Sequence, residues 1–420
     1  MSPKSSDLGG IVWEHALQIL LSNFGGHALL TCIARTHSTV TSSNTMRLSE
    51  IRARSTALKI LREEIQERGP SPDALNCILL MFNTEILAKD HQAALSHSMF
   101  LAAHVFSAAH LDYPTINSDI LRHVYLTSEI QRATQTFTRP VIDLALYDDW
   151  LTKLDDEQIY PPFVPSPEKL DHTDTKALED VYLAELFTEA RHYHNLLSMP
   201  LAQHIPSMKL SVRLLLLCGR LLLYAQRVIG ALTLSRCTAI QAFSCRQRAA
   251  AAIAALWWLR SLTRFEPGHR SNRTPTTLEL CVTDGMHLAQ IMKTLMEESE
   301  PAVPLRLFKG KFDVDRKAYK FPASLRLRMW IHYIGSTIEE GIPPANDDKW
   351  SQMYHHQRLN YYRTRSGLAQ DGAVETDVYG LMLGRFLPYQ TQMTMGPTWL
   401  SLVPRFCIAP RSSHRDSAYM

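Results

Sequence analysis

Paired carboxylates are the residues of this chain with the most direct chemical use, because carboxylates one helical turn apart on one face can hold magnesium against a diphosphate. Asp148-Asp149 is followed by Thr152 where a further carboxylate is needed, and Asp347-Asp348 leads to Ser351 and then His355, where the site again requires an acid. Asp155-Asp156 stands beside a proline-rich stretch. Zinc bound from a single helix takes histidines at i and i+4, and the histidine pairs here, His91/His97, His192/His194 and His355/His356, all miss that spacing. Neither H-E-x-x-H, a P-loop nor G-x-S-x-G occurs, and Gly310 in FKGKFD reads as a basic turn. The 7 cysteines are odd in number and contain no C-x-x-C, which fits free thiols in a reducing compartment. On these grounds no catalytic residue, metal ligand or cofactor is assigned, and the chain is not expected to be an enzyme. A metal-dependent all-helical enzyme is kept as one alternative.

The elements that would position any site are helices. A hydrophobic share of 45% over 420 residues is ample for a packed core. Lys plus Arg total 44 against 41 Asp plus Glu, so a net charge of +3 provides no global field for a nucleic-acid backbone. Near the N-terminus Glu14 and His15 interrupt the apolar residues, which argues against a signal peptide. The most apolar stretch, 210–234, contains Arg213, Arg220 and Arg227. Each would cost about 2.5 to 3.5 kcal/mol near a bilayer centre, so this stretch reads as a core helix and not a span. Spaced by seven, the three arginines form one polar stripe, either solvated or paired with acids elsewhere, whose functional reading is a partner-facing seam.

In chain order, the spacing predicts a helix pair over 13–34 broken at Gly25-Gly26, a Ser/Thr-rich loop over 36–45, and a helix over 49–68 ending at Gly69-Pro70. Ser71 is the predicted N-cap of the next helix, with Pro72 at its first position and Leu75, Leu79, Phe82 and Ile86 on one face. An Ala-rich helix follows over 91–111, then a third from about 118 that must end before Thr138-Arg139-Pro140. The ranges expected are N-terminal helices and loop 1–48, a helical core 49–151, a Pro-rich linker 152–173, a second helical layer 174–300 that includes the helix through Leu178, Tyr182, Leu186, Ala190 and Tyr193, a basic loop 301–322, C-terminal helices 323–409 and a disordered tail 410–420. Sustained β-branched alternation is missing, so the fold class is all-α, built of packed antiparallel helix pairs without significant sheet.

The order of these segments resembles a known family. The segment ALNCILLMFNTEILAKDHQAALSHSMFLAAHVF, 74–106, is similar to the regulatory middle domain of fungal transcription factors of the binuclear zinc-cluster type, where an apolar helix ending in Leu-x-x-x-Glu precedes a short break and an Ala-x-x-His-x-x-x-Ala helix. Glu85 and His97 occupy those positions. Three later segments resemble that family's motifs in the same order: RHVYLTSEIQRATQTFTRP, LRMWIHYIGSTIEEG with its Trp-x-x-Tyr-x-Gly-x-x-x-Glu pattern, and VYGLMLGRFLPYQ. The family's six-cysteine DNA-binding cluster has no counterpart in the cysteine spacing here.

The resemblance implies a nuclear regulator of RNA polymerase II transcription, with a cytoplasmic location as the alternative. It would act through transcriptional partner proteins or a homo- or heterodimer partner, with a small-molecule inducer as a further ligand class and no membrane. DNA would be reached only indirectly or through a missing or partner-supplied module. The second alternative is a stand-alone helical interaction scaffold. Glu85, His97, Arg213, Arg220 and Arg227 are the structural or interaction candidates, with Glu85 and His97 expected to pin two helices together.

Overall fold

The structure is a computed structural model, and it describes residues 25–41, 44–106, 116–153, 178–197, 208–234, 237–262, 275–299, 312–313, 318–319, 323–340 and 353–365. The described part is all-α, as the periodicity requires. Its helices are α1 (Gly25–Thr41), α2 (Asn44–Arg68), α3 (Pro72–Ala88), α4 (His91–His104), α5 (Ile116–Thr136), α6 (Leu144–Lys153), α7 (Val181–Leu197), α8 (Met208–Leu234), α9 (Ala239–Leu262), α10 (Pro275–Ser299), α11 (Ala323–Glu340) and α12 (Tyr354–Arg365). The strand content among the described residues is a two-residue antiparallel ladder, Phe312–Asp313 against Ala318–Tyr319, inside the expected basic loop. Two compact units divide between Ser128 and Glu129, inside α5. The sequence places a boundary at the Pro-rich stretch 152–173, nearly all of which lies outside the described residues, as do the segment VYGLMLGRFLPYQ and the tail 410–420.

Local chemistry sets the helix ends. Gly69, at φ +78, closes α2, and its amide donates to the Ile65 carbonyl. Ser71 accepts from the Ala74 amide at 3.2 Å with Pro72 behind it, the cap expected from the sequence. Asp90 caps α4 and Asp180 caps α7 through the amides of Ala93 and Leu183. Thr238 and Gln241 form a reciprocal capping box at the start of α9, each side chain bonded to the other's backbone amide. One expectation is corrected here. The Ser/Thr-rich stretch 36–45 is helical as far as Thr41, and α2 already starts at Asn44. Polar hydroxyls do not force a loop when they bond back to the preceding turn, as Ser38 does to the Arg35 carbonyl.

In the first unit α1, α2 and α3 pack on one another and α4 packs on α3. Leu75, Leu79, Phe82 and Ile86 are buried as the spacing demands, whereas Ile51 on α2 is exposed. The hydroxyl of Tyr125 on α5 donates to the Ser98 carbonyl of α4 at 2.8 Å, and its ring meets Phe82.

The second unit is centred on α9, where every residue from Ala249 to Leu256 is buried. A helix buried all round needs neighbours on every side, and α7, α8, α10 and α11 supply them. Its alanines allow close approach, as Gly219 does on α8, where a methyl would meet Ile130 Cδ1 at 3.0 Å. Helix α8 is long and apolar enough to cross a membrane by length and composition, and half of that stretch is buried in the fold. On α7 the predicted face holds at Leu186, Ala190 and Tyr193, but Tyr182 lies partly exposed and faces Tyr224.

Where α5 ends, Arg132 and Glu129 close a clasp. Arg132 Nε and Nη2 donate to Glu129 Oε2 and Oε1 at 2.8 and 2.6 Å, and Glu129 Oε1 also accepts from the Val141 amide at 2.7 Å. The guanidinium reaches on to Thr138 Oγ1 and the Arg139 carbonyl, so the turn through Phe137, at φ 49, is tied to the last turn of the helix. Both side chains are almost fully buried. Removing one partner strands the other charge, a change that costs about 3 to 5 kcal/mol. Glu129→Ala is therefore expected to lower the unfolding free energy read from urea denaturation by about 3 to 5 kcal/mol, whereas a loss under about 1 kcal/mol would show that the clasp is not closed in solution.

Candidate functional site

Polar side chains inside an apolar helical fold are the places where chemistry or specificity is concentrated, since each must find partners. In the first unit they gather where α1, α2, α3 and α4 meet. Arg35 on α1 donates to Glu50 on α2 at 3.1 Å and reaches the Ala88 carbonyl at the end of α3. Arg54, one turn after Glu50, sits 2.5 Å from Glu85 Oε1. That contact is ionic and off the direction of a hydrogen bond. Glu85 is almost fully buried, and burial raises its carboxyl above the usual range while the Arg54 charge opposes the rise.

Glu85 thus pins α3 to α2 through Arg54. His97, on the half-buried side of α4, joins the same cluster through charge, since burial first and Arg54 second push its imidazole down while Asp90 pulls it up. The sequence expects Glu85 and His97 to pin two helices together; in the structure Arg54 ion-pairs with Glu85 and bears on His97 through charge. Arg54 is the shared neighbour, and no sequence pattern marked it.

The arginine stripe on α8 is one edge of the helix, but its members differ. Arg213 and Arg227 are exposed. Arg220 between them donates from Nη2 to both carboxylate oxygens of Asp148 on α6, at 2.6 and 2.8 Å, and its Nη1 lies 3.5 Å from Glu189 Oε2 on α7. Asp148, the first aspartate of a pair tested above as a metal motif, is therefore an ion-pair partner. Part-buried on both sides, this pairing ties α6 and α7 to α8.

The richest polar cluster lies in the second unit, along α11, and most of it carries no sequence mark. Arg328 is fully buried. Its Nε donates to Tyr362 Oη at 2.6 Å, Nη1 to Ser299 Oγ at 2.8 Å and Nη2 to the Met296 carbonyl at 3.0 Å. The rings of Phe243 and Tyr362 lie 5.7 and 5.8 Å from the guanidinium. One turn along, His332 Nδ1 meets His355 Nδ1 at 3.1 Å, and His355 Nε2 meets the Ala289 carbonyl at 3.1 Å. Burial pushes the His355 ring down to about 4 and holds His332 well below the ordinary range, so both are neutral at pH 7.

The same helix provides the receptacle. Gly335 faces the His355 ring so closely that an added methyl would sit 2.6 Å from Cδ2. Glu339, one turn further, accepts the amides of His355 and His356 on its two oxygens, each at 3.0 Å. A carboxylate on the free amides of a helix N-terminus stabilises the whole helix. The pattern Trp330-x-x-Tyr333-x-Gly335-x-x-x-Glu339 thus has a physical content: Trp330 fills the core against Phe187, Gly335 makes a notch, and Glu339 caps α12.

Among the described residues no three His, Cys, Asp or Glu side chains converge on a position that could hold a metal ion. Cys32, Cys77 and Cys218 are buried, and burial raises the Cys77 thiol to about 12. Asp155, Asp347 and Gly310 lie outside the described residues. Comparison with protein-family models, with characterised proteins and with solved structures finds no match to this chain.

The notch at Gly335 generates a direct test. Gly335→Ala forces the His355 ring out of a filled core, and overpacking of this kind costs about 1 to 3 kcal/mol. Thermal unfolding should show that loss, and Gly230→Ala, on an open surface of α8, should show none. Equal stability of the two variants would mean that α12 does not seat on α11.

Proposed function

We propose that this chain is a helical regulatory domain of the kind found in fungal binuclear zinc-cluster regulators. It controls RNA polymerase II transcription through partner proteins, with DNA contacted by a module that a partner or another part of the regulator supplies. The reading includes a nuclear location and a homo- or heterodimer or other transcriptional partner, with a small-molecule inducer as a ligand class.

The observation that carries the reading is the position of the motif residues. Glu85, Glu129, Arg132, Gly335 and Glu339 fall in the first three of the four segments described above, and each sits at a junction between elements. A domain whose distinctive residues fix helix junctions can work by population shift. A partner or ligand with unequal affinity for two packings then changes which surface is displayed.

The test is to express residues 1–420 fused to an unrelated DNA-binding domain beside a reporter gene and to measure reporter output and cellular location. A change of several-fold, with nuclear accumulation, is expected. Glu339→Ala should abolish the change if α12 must be capped for the domain to act. Unchanged reporter output at normal protein levels would overturn the reading in favour of a helical scaffold without a transcriptional role.

A further inference from the structure

Hydrogen bonding fixes the protons of the histidine pair. A carbonyl oxygen only accepts, so His355 Nε2 must carry the hydrogen that meets Ala289. Neutral His355 then has a bare lone pair on Nδ1, and His332 must donate to it from its own Nδ1. Neutral His332 is left with its lone pair on Nε2, which is buried and has no hydrogen-bond partner. The chain of donors runs one way, from His332 through His355 to α10, and it has room for two protons and no third.

A third proton finds no place at either ring. On His355 it would go to Nδ1 and set two N–H groups against each other across 3.1 Å. On His332 it would go to Nε2, a buried position without an acceptor. The charged groups around the pair come from three helices. Helix α10 brings Lys293, which lies over the Tyr354 ring and pairs with Glu297 at 3.9 Å. Helix α11 brings Arg328, and Glu339 with its two oxygens bonded to backbone amides. Helix α12 brings Arg358, over the Tyr354 ring, and His356. The cations Arg328 and Arg358 repel a proton on His332, and Lys293 repels one on His355.

We infer that the His332–His355 pair is a proton-operated latch, which seats α12 on α11 and α10 while both rings are neutral and releases α12 on acidification. The inference stands on the geometry of this pair and does not rest on the transcriptional reading. Its sign follows from linkage. His355 is held at about 4, below the ordinary 6.5, so the released helix takes up the proton first. Seating is at full strength above pH 6.5 and weakens as pH falls towards 4. For His355 alone the opening equilibrium at pH 5 is about 30-fold more favourable than at pH 7.5, and His332 adds to it.

Hydrogen–deuterium exchange of the full chain at pH 7.5 and 5.0, corrected for the intrinsic rate, reads this directly. Peptides from Tyr354–Arg365 should lose protection by 30-fold or more at pH 5.0, while peptides from α8 in the same unit keep theirs. Unchanged protection of α12, or loss of α8 and α12 in parallel, would overturn the latch. In His355→Gln, an amide that can donate to Ala289 and accept from His332 without titrating, the difference between the two pH values should shrink, and an undiminished difference would also overturn it. Should that variant not fold, the comparison of α12 with α8 in the unaltered chain still decides.

Discussion

A guanidinium keeps its charge at any pH a protein meets and carries five N–H donors, so burying one completely dictates what must surround it. Arg328 imposes that condition on the second unit. Its acceptors come from the end of α10 and from α12, and the rings of Phe243 on α9 and Tyr362 on α12 lie with their centroids 5.7 and 5.8 Å from it. A shift of α12 by one residue would take Tyr362 away from Nε and leave a charged donor in an apolar core. Apolar packing alone accepts many registers, and the Arg328 contacts accept one. The histidine pair, the Gly335 notch and the Glu339 cap repeat the selection along the same helix.

The first unit solves the same problem with pairs. Glu50 and Glu85 are both almost fully buried on facing helices, and each is matched by an arginine that is partly exposed. The long arginine side chains span the distance from the helix surface to the buried acid, so desolvation falls mainly on the carboxylates. This fits the direction of Glu85, which burial raises and Arg54 restrains.

Much of this was legible in the sequence, and what was missed has a common cause. Ser71-Pro72, Gly69 and the face of Leu75, Leu79, Phe82 and Ile86 follow from local rules of capping and period, and the structure places them so. The stripe of Arg213, Arg220 and Arg227 was visible as a stripe, but Asp148, the partner of Arg220, lies 72 positions away. Arg54, Arg328 and the meeting of His332 with His355 depend on contacts between segments that no spacing rule joins. The hydroxyl-rich run 36–45 failed for the opposite reason, since a local rule for loops gave way to back-bonding within the helix.

The burial of α9 carries a consequence for the order in which the chain can mature. From Ala249 to Leu256 the helix has no solvent face, yet only α7 and α8 among its neighbours precede it in the chain. Its other walls, α10 and α11, extend to Ser299 and Glu340. During synthesis this fully buried stretch of α9 therefore waits, half covered, until some eighty further residues have emerged, at a rate on the order of 5 to 20 residues per second. For several seconds the nascent chain displays the kind of surface that chaperones bind. A message cut short before the codon for Glu340 would leave that surface open for the life of the protein.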